Sequence, residues 1–340
     1  HQKELIPVLF ILLSGVLPIL SQAPERLLIE KIEVPILFDG KPDETAWKEL
    51  EPFPMISHMP VFGNPPTEKC IIKMGYDDQF VYVGGLLYVS DPSFIQAVGK
   101  KRDMETMSSD FFMLSFDSYN DKENSLLFAT NPLGLRWDAA VSNDGTMSMD
   151  NMPVNMDWNT FWEVKSSYDD QGWYFEMQIP ISSLRFTDID GATVMGLSVF
   201  RWIPAKNEGD IFPAISNEWG PTSHLKPSLY QEILFEELSP KKPLNISPYV
   251  LTAFDQEYEL NDAETAYEYG QAYKLEAGLD VKYGINPNTV LDLTVNTDFA
   301  QVEVDDQQFN LSRFSLFFPE KRKFFLERSS IFDFSLEGQN

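Results

Sequence analysis

Tryptophan is the residue type whose placement in this chain first suggests chemistry. The chain has seven tryptophans. The flat face of an indole can stack on the C–H face of a sugar ring, while polar neighbours bind the sugar hydroxyls. Trp137, Trp158 and Trp162 lie in or beside segments rich in Asn, Asp and Met. Because binding residues concentrate on loops, these three are candidate carbohydrate contacts, whereas Trp47 and Trp173 are predicted core residues.

Charged residues around Arg102 are a second candidate for the same chemistry. Arg102, Asp103, Asp110 and Asp138, with Trp137 nearby, could bind vicinal hydroxyls, because a guanidinium fork and a carboxylate both make paired hydrogen bonds. The same residues could instead form an internal Arg–Asp pair that fixes a loop, and structural ion pairs are commoner than ligand sites. Both alternatives stay open at this point.

Acidic residues outnumber basic ones by 52 to 26, which gives a net charge of −26 and a pI near 4.4. Such a surface repels nucleic-acid phosphate, so no nucleic-acid partner is expected. Carboxylates near turns offer the hard oxygen ligands of a structural calcium ion. The weak candidates are Asp39, Asp43, Glu44 and Asp91. They lack the D-x-D-x-D spacing of a strong calcium loop, which favours solvated turn acids.

No catalytic constellation is apparent in the sequence. It contains no G-x-S-x-G elbow, H-E-x-x-H pair or glycine-rich phosphate loop. Cys70 is the single cysteine, so an intrachain disulfide and a multi-cysteine zinc site are excluded. Among 52 acidic residues, some pair can always be proposed as the two carboxylates of a glycosidase, so their presence alone does not indicate a hydrolase. No catalytic residue is predicted.

The first 23 residues are predicted to be a secretory signal peptide. The apolar run from Leu5 to Ile19 follows Lys3 and precedes the small residues Ser21 and Ala23. The run is short for a membrane-spanning helix, and Pro18 would interrupt such a helix. The chain begins with His1 and stops at Asn340 without a clear terminating element, which suggests a fragment of a longer exported protein.

From residue 27 to about 238 the pattern predicts an all-β domain. Short β-branched and aromatic runs alternate with Gly, Pro, Asn and Asp at the spacing of antiparallel strands. Several runs are almost continuously apolar, which favours strands packed on both faces of a two-sheet antiparallel β-sandwich. Helix is expected only in short pieces at Asp43–Leu50, Pro92–Val98 and Ile181–Leu184.

A different pattern follows the stretch from Ser239 to Pro248, which holds three prolines and is predicted to connect two units. Beyond it, apolar and polar residues alternate at period two, with turns expected at Asn261–Asp262 and Asn286–Asn288. This is typical of membrane barrels with an apolar outside. The predicted division is therefore a domain at 24–240 and the first strands of an incomplete barrel at 241–340. A soluble half-buried sheet is the alternative.

Two resemblances to known families support this division. The string from Leu291 to Phe325, LDLTVNTDFAQVEVDDQQFNLSRFSLFFPEKRKFF, resembles the signature of the domain of unknown function 5916. The resemblance implies the start of an outer-membrane β-barrel in an envelope protein of the kind found chiefly in Bacteroidetes. The upstream region resembles family-9 carbohydrate-binding modules through pieces that occur in order: FDGKPDETAW, YDDQFVYVG, KKRDMETMSSDFFMLSFDSYND, FATNPLGLRWDA and GWYFEMQIPISSLRF.

The resemblances imply an exported outer-membrane protein whose sandwich, periplasmic or at the surface, captures glycans for uptake or catabolism. The first alternative is a structural or transport cap on a barrel that binds no sugar. The second is a glycan-acting hydrolase. A cleft lined by two aromatic residues favours binding, burial of all seven tryptophans favours the cap, and a close carboxylate pair in a cleft favours the hydrolase.

Overall fold

The computed structural model describes residues 26–104, 107–147, 153–188, 191–220, 222–242, 244–260, 265–286 and 289–296. The predicted signal peptide and most of the Leu291–Phe325 signature lie outside these residues. Among the described residues, no helix has the length and apolar character needed to cross a membrane.

The first part of the chain is built from strands with only short helical pieces, which confirms the all-β prediction. Its elements are β1 (Leu27–Lys31), α1 (Thr45–Glu49), β2 (Ile56–Met59), β3 (Cys70–Tyr76), β4 (Phe80–Tyr88), β5 (Phe111–Asp117), β6 (Ser125–Thr130), β7 (Trp137–Val141), β8 (Val154–Asn155), β9 (Glu163–Asp169), β10 (Gly172–Pro180), β11 (Ala192–Ile203), β12 (Glu208–Phe212) and β13 (Gln231–Glu236). Single 3₁₀ turns at Pro92–Phe94 and Ile181–Ser183 occupy two of the predicted helical positions.

The strands β1 to β13 form one curled sheet of mixed direction, which we call the curled-sheet domain. Its strand order is β8-β7-β6-β5-β11-β13-β1-β3-β4-β10-β9, and β12 joins through β11 and β2. The short strand β1 runs parallel to both of its neighbours, β13 and β3. Because β1 is hydrogen-bonded on both edges, it links the two arms of the domain. The prediction of two separate antiparallel sheets is therefore not confirmed in that detail.

The core explains why several strands are almost continuously apolar. All seven residues of β5 are buried. Phe112, Leu114 and Phe116 point into the main core between the two arms, whereas Phe111 and Met113 belong to a second cluster on the other face. Since neighbouring strand residues face opposite sides, only a strand covered on both faces can bury such a run.

The last described residues form a three-stranded antiparallel sheet, which we call the meander. It consists of β14 (Leu244–Leu260), β15 (Tyr267–Asn286) and β16 (Thr289–Val295) in that order. Strand β14 already begins inside the stretch predicted to connect the units, and Pro248 fits there because β14 is an edge strand. Of the two predicted turns, Asn261–Asp262 lies outside the described residues, and so do the last two residues of Asn286–Asn288, between the end of β15 and the start of β16.

Candidate functional site

The segment from Trp158 to Trp162 connects β8 to β9 and is fastened to β7 by Asp138. The Thr160 amide donates a hydrogen bond to Asp138 Oδ2 at 2.8 Å. Arg102 Nη2 donates to Asp138 Oδ1 at 2.5 Å and to the Thr160 carbonyl oxygen at 3.2 Å. Arg102 and Asp138 together therefore hold both backbone groups of Thr160 and fix the segment in place.

Electrostatics around Asp138 suit this fastening role. The Asp138 side chain is fully buried, and burial raises the pKa of its carboxyl group, against the opposing effects of Arg102 and the Thr160 amide. Asp103 lies on the other side of the guanidinium, with Oδ2 at 3.6 Å from Arg102 Nε. The structure thus brings together three residues of the predicted sugar-binding cluster, Arg102, Asp103 and Asp138. Arg102 and Asp138 also contact the segment that carries Trp158.

Two members of the predicted cluster lie elsewhere. Trp137 precedes Asp138 on β7 and packs against the second apolar cluster, on the face of the strand opposite Asp138. Successive strand residues point to opposite faces, so the two cannot share one site. Asp110 is fully buried beside Arg201, with Asp110 Oδ2 at 3.7 Å from Arg201 Nη2, and has no surface from which to bind a ligand.

The two tryptophans of the segment have different surroundings. Trp162 is buried and packs edge-on against Phe128, with ring centroids 5.5 Å apart. Trp158 also meets Phe128 edge-on, at 6.1 Å, but is only partly buried. Trp162 is therefore a core residue, and Trp158 keeps part of its ring available to solvent.

Trp158 lines a cleft of about 150 Å³ together with Tyr119, whose side chain is 40% exposed. Hydroxyl, amide and guanidinium groups complete the lining: Ser118, Asn124, Ser125, Ser183 and Arg185, with Leu126. Two aromatic rings and several hydrogen-bonding side chains thus converge on a small volume. The sequence prediction included Trp158 but missed Tyr119, for which the only signal is an aromatic residue in the polar turn SYND that follows β5.

A larger cavity of about 460 Å³ lies next to the same segment. From the curled-sheet domain it is lined by Arg102, Arg136, Asn159, Thr160 and Phe161. From the polar face of the meander it is lined by Asn245, Ser247, Asp280, Lys282 and Asp292, with Val281 and Leu293. Phe161 is 56% exposed. The volume falls within the usual range for small-molecule sites.

Residues 240–335 match the model of a domain of unknown function (DUF5916). The meander therefore begins the DUF5916 segment, as the sequence signature predicts. No curated protein matches the chain.

Solved structures similar to the chain include family-9 carbohydrate-binding modules. One, from Caldicellulosiruptor kristjanssonii in complex with cellotriose, is 16% identical and covers 63% of this chain and 95% of its own, with a TM-score of 0.40. The same kind of module in complex with glucose is 17% identical, with coverages of 64% and 98% and a TM-score of 0.43. A candidate carbohydrate-binding protein from Bacteroides uniformis is 11% identical, with coverages of 63% and 100% and a TM-score of 0.48.

The four acids considered for calcium lie upstream of the DUF5916 segment, in and around turns. Asp39 Oδ1 accepts a hydrogen bond from the Lys41 amide, and Asp91 Oδ1 accepts one from the Ser93 amide. Glu44 precedes α1, next to Asp43. Across the described ranges, no three His, Cys, Asp or Glu side chains are grouped so that they could hold a metal ion.

Proposed function

We propose that the curled-sheet domain binds a carbohydrate in the cleft between Tyr119 and Trp158. The observation that carries this proposal is the lining of that cleft, where two aromatic rings share about 150 Å³ with hydroxyl, amide and guanidinium groups. A sugar ring has an apolar C–H face and a rim of hydroxyls, so it needs this combination of a flat apolar wall and hydrogen-bonding side chains. Arg102 and Asp138 act indirectly, by fastening the segment that presents Trp158.

The alternatives have less support. Burial of all tryptophans was expected of a structural cap, but Trp219 is 66% exposed and Trp158 lines a cleft. A hydrolase needs two carboxylates at the bond it cleaves. Among the described residues, the lining of the Trp158 cleft has no Asp or Glu, whereas two carboxylates, Asp280 and Asp292, belong to the lining of the larger cavity. The Trp158 cleft itself therefore fits binding best.

Replacing Trp158 by alanine is expected to lower the affinity for the bound glycan by at least about tenfold, because a central aromatic contact is lost. Trp158 also packs on Phe128, so Tyr119→Ala, which removes the other ring of the cleft, is made beside it. It should also weaken binding, and the melting temperatures of both variants show that each remains folded. Glycan-array screening of the full chain, followed by calorimetry, measures both effects. Glucose and cellotriose, which the similar modules hold, are the first calorimetric probes.

The matched control is Trp219→Ala, which removes an equally large exposed ring from a different turn. It should leave glycan affinity unchanged. Absence of any bound glycan on the array, or wild-type affinity in both cleft variants, would show that the cleft is not a carbohydrate site.

We further propose that the protein is exported and that the meander begins an outer-membrane barrel, which would place the cleft in the cell envelope. The support is a mainly apolar face that all three strands expose to solvent, interrupted by the cross-strand pair Gln256 and Gln271. Its members include Leu244, Ile246, Val250, Phe254 and Tyr258 on β14, Tyr269, Tyr273, Leu275 and Tyr283 on β15, and Leu291, Leu293 and Val295 on β16. Strands β14 and β15 have 17 and 20 residues, more than the roughly 9–11 that a tilted strand needs to cross a bilayer.

Aromatic residues gather at one end of this face. Phe254 packs against Tyr273 with ring centroids 4.7 Å apart, and Tyr258 packs against Tyr269 at 5.3 Å. Barrels in membranes carry such aromatic girdles at the level of the lipid headgroups.

The full chain is therefore expected to require detergent and to float with phosphatidylethanolamine and phosphatidylglycerol vesicles. Leu275→Lys should reduce flotation strongly, because Leu275 is 75% exposed on the apolar face and a lysine at a lipid-facing position is costly. Lys274→Gln, on the opposite face, serves as the control and should float as wild type does. A full chain that is monodisperse without detergent would count decisively against the barrel.

A further inference from the structure

The segment from Trp158 to Trp162 contributes side chains to both the cleft and the larger cavity. Trp158 lines the cleft, whereas Asn159, Thr160 and Phe161 line the larger cavity. Arg102 and Asp138 hold Thr160, and Ser183 holds the next residue: Ser183 Oγ donates a hydrogen bond to the Phe161 carbonyl oxygen at 2.6 Å. Ser183 also lines the cleft. The backbone between the two cavities is thus held at two successive residues.

Phe161 presents an aromatic ring on this fixed backbone. More than half of its surface is in contact with solvent, although a phenylalanine side chain is usually buried. Trp158 and Phe161 are three residues apart, so their Cα atoms are separated by at most about 11 Å. Two or three linked sugar rings span such a distance.

The polar lining of the larger cavity indicates what kind of ligand it accepts. Three cationic side chains and two carboxylates line it: Arg102, Arg136 and Lys282, with Asp280 and Asp292. Amide and hydroxyl groups come from Asn159, Thr160, Asn245 and Ser247. Because Arg102 is already paired with Asp138, two positive and two negative side chains remain, so neither an anion nor a cation is favoured. Hydroxyls, which both donate and accept hydrogen bonds, match such a lining.

We propose that Phe161 forms a second stacking position for the next unit of the same glycan, so that the ligand is a neutral oligosaccharide or polysaccharide rather than a single sugar. This inference rests on carbohydrate binding in the Trp158 cleft. One unit occupies the cleft, and the chain continues past Phe161 into the larger cavity. There it meets the polar face of the meander, so the DUF5916 segment contributes to ligand binding.

The test is a glycan array that presents each linear series from the monosaccharide to the hexasaccharide, with the full chain as the analyte. Phe161→Leu keeps an apolar side chain but removes the ring. It should weaken binding of the longer members by about tenfold, the effect of losing one aromatic stacking contact, and leave monosaccharide binding unchanged. Phe161→Tyr should restore the preference for longer members. Tyr168→Ala, which removes another exposed aromatic side chain, is the control.

The outcomes separate the two proposals. Loss of binding to every member of the series in Trp158→Ala, with a length-dependent loss in Phe161→Leu, supports both. If Phe161→Leu binds all lengths as wild type does, or weakens all lengths equally, the second stacking position is wrong while the cleft stands. Wild-type binding in Trp158→Ala overturns the cleft itself. Asp280→Asn adds an independent readout from the meander, and it should also affect only the longer members.

Discussion

Replacing Arg201 by leucine is expected to lower the free energy of unfolding by about 3–5 kcal/mol, which is the usual cost of removing one partner of a buried ion pair. Arg201, Asp110 and Asp210 are all fully buried in the curled-sheet domain. Arg201 on β11 lies opposite Asp210 on β12, and its Nη2 donates a hydrogen bond to the Tyr88 carbonyl oxygen at 3.2 Å. Without the guanidinium, two carboxyl groups remain in the core with no counter-charge.

The same cluster predicts how stability depends on pH. Burial, reinforced by Glu208, raises the pKa of Asp210 to about 7, and burial raises that of Asp110 to about 6 despite Arg201. An unfolded Asp titrates near pH 3.9. Since both folded values are raised, the stabilising contribution is complete below about pH 4 and is lost as the pH rises towards 7.

Asp210→Asn is therefore expected to flatten the pH dependence of the unfolding free energy between pH 4 and 7, by an amount on the order of 3 kcal/mol. Urea unfolding of wild type and variant at several pH values measures the difference in unfolding free energy, in which the contributions of groups that do not interact with Asp210 cancel. Asp170→Asn, at an exposed position in the β9–β10 turn, is the control. Equal slopes in wild type and Asp210→Asn would mean that Asp210 is ionised in the folded protein throughout this range.

This cluster shows what local sequence could not predict. Asp110 sits in the polar stretch METMSSD, which is typical of a loop acid, so it was a candidate ligand. Its burial depends on the pairing of β5 with β11, which brings Arg201 from a distant part of the chain. Pairing between distant strands leaves no trace in local composition, and neither does the parallel insertion of β1 between β13 and β3.

Other features were accessible to sequence reasoning. The period of two on β7 already implies that Trp137 and Asp138 face opposite sides, so they could have been separated without a structure. The period of two predicted beyond Pro248 holds along β15, so Leu275 and Lys274 lie on different faces. Trp158 was recognisable from its polar neighbours, but Tyr119 reaches the cleft from the turn after β5, and only the folded chain brings that turn to Trp158.

Glu176→Ala is the second substitution expected to have a large effect, a loss of about 3 kcal/mol or more of unfolding free energy. Glu176 on β10 is fully buried. Its Oε2 accepts hydrogen bonds from the amides of Asp39 and Gly40, both at 2.8 Å, and its Oε1 accepts one from Trp47 Nε1 at 2.9 Å. Alanine leaves these donors without their acceptor, and each buried unsatisfied group costs about 1–3 kcal/mol.

The geometry of this network explains why the turn before α1 depends on one carboxylate. Gly40 adopts φ of 100°, a left-handed conformation that favours glycine, and this directs two successive amides towards Glu176. Glu176→Gln should lose an intermediate amount of unfolding free energy. The side-chain oxygen of glutamine can still accept hydrogen bonds, but its NH2 group would face a donor in place of the second carboxylate oxygen. Glu163→Ala, at an exposed position on the neighbouring strand β9, should change stability little. A loss in Glu176→Ala no larger than in Glu163→Ala would show that the turn is held by the burial of Trp47 instead.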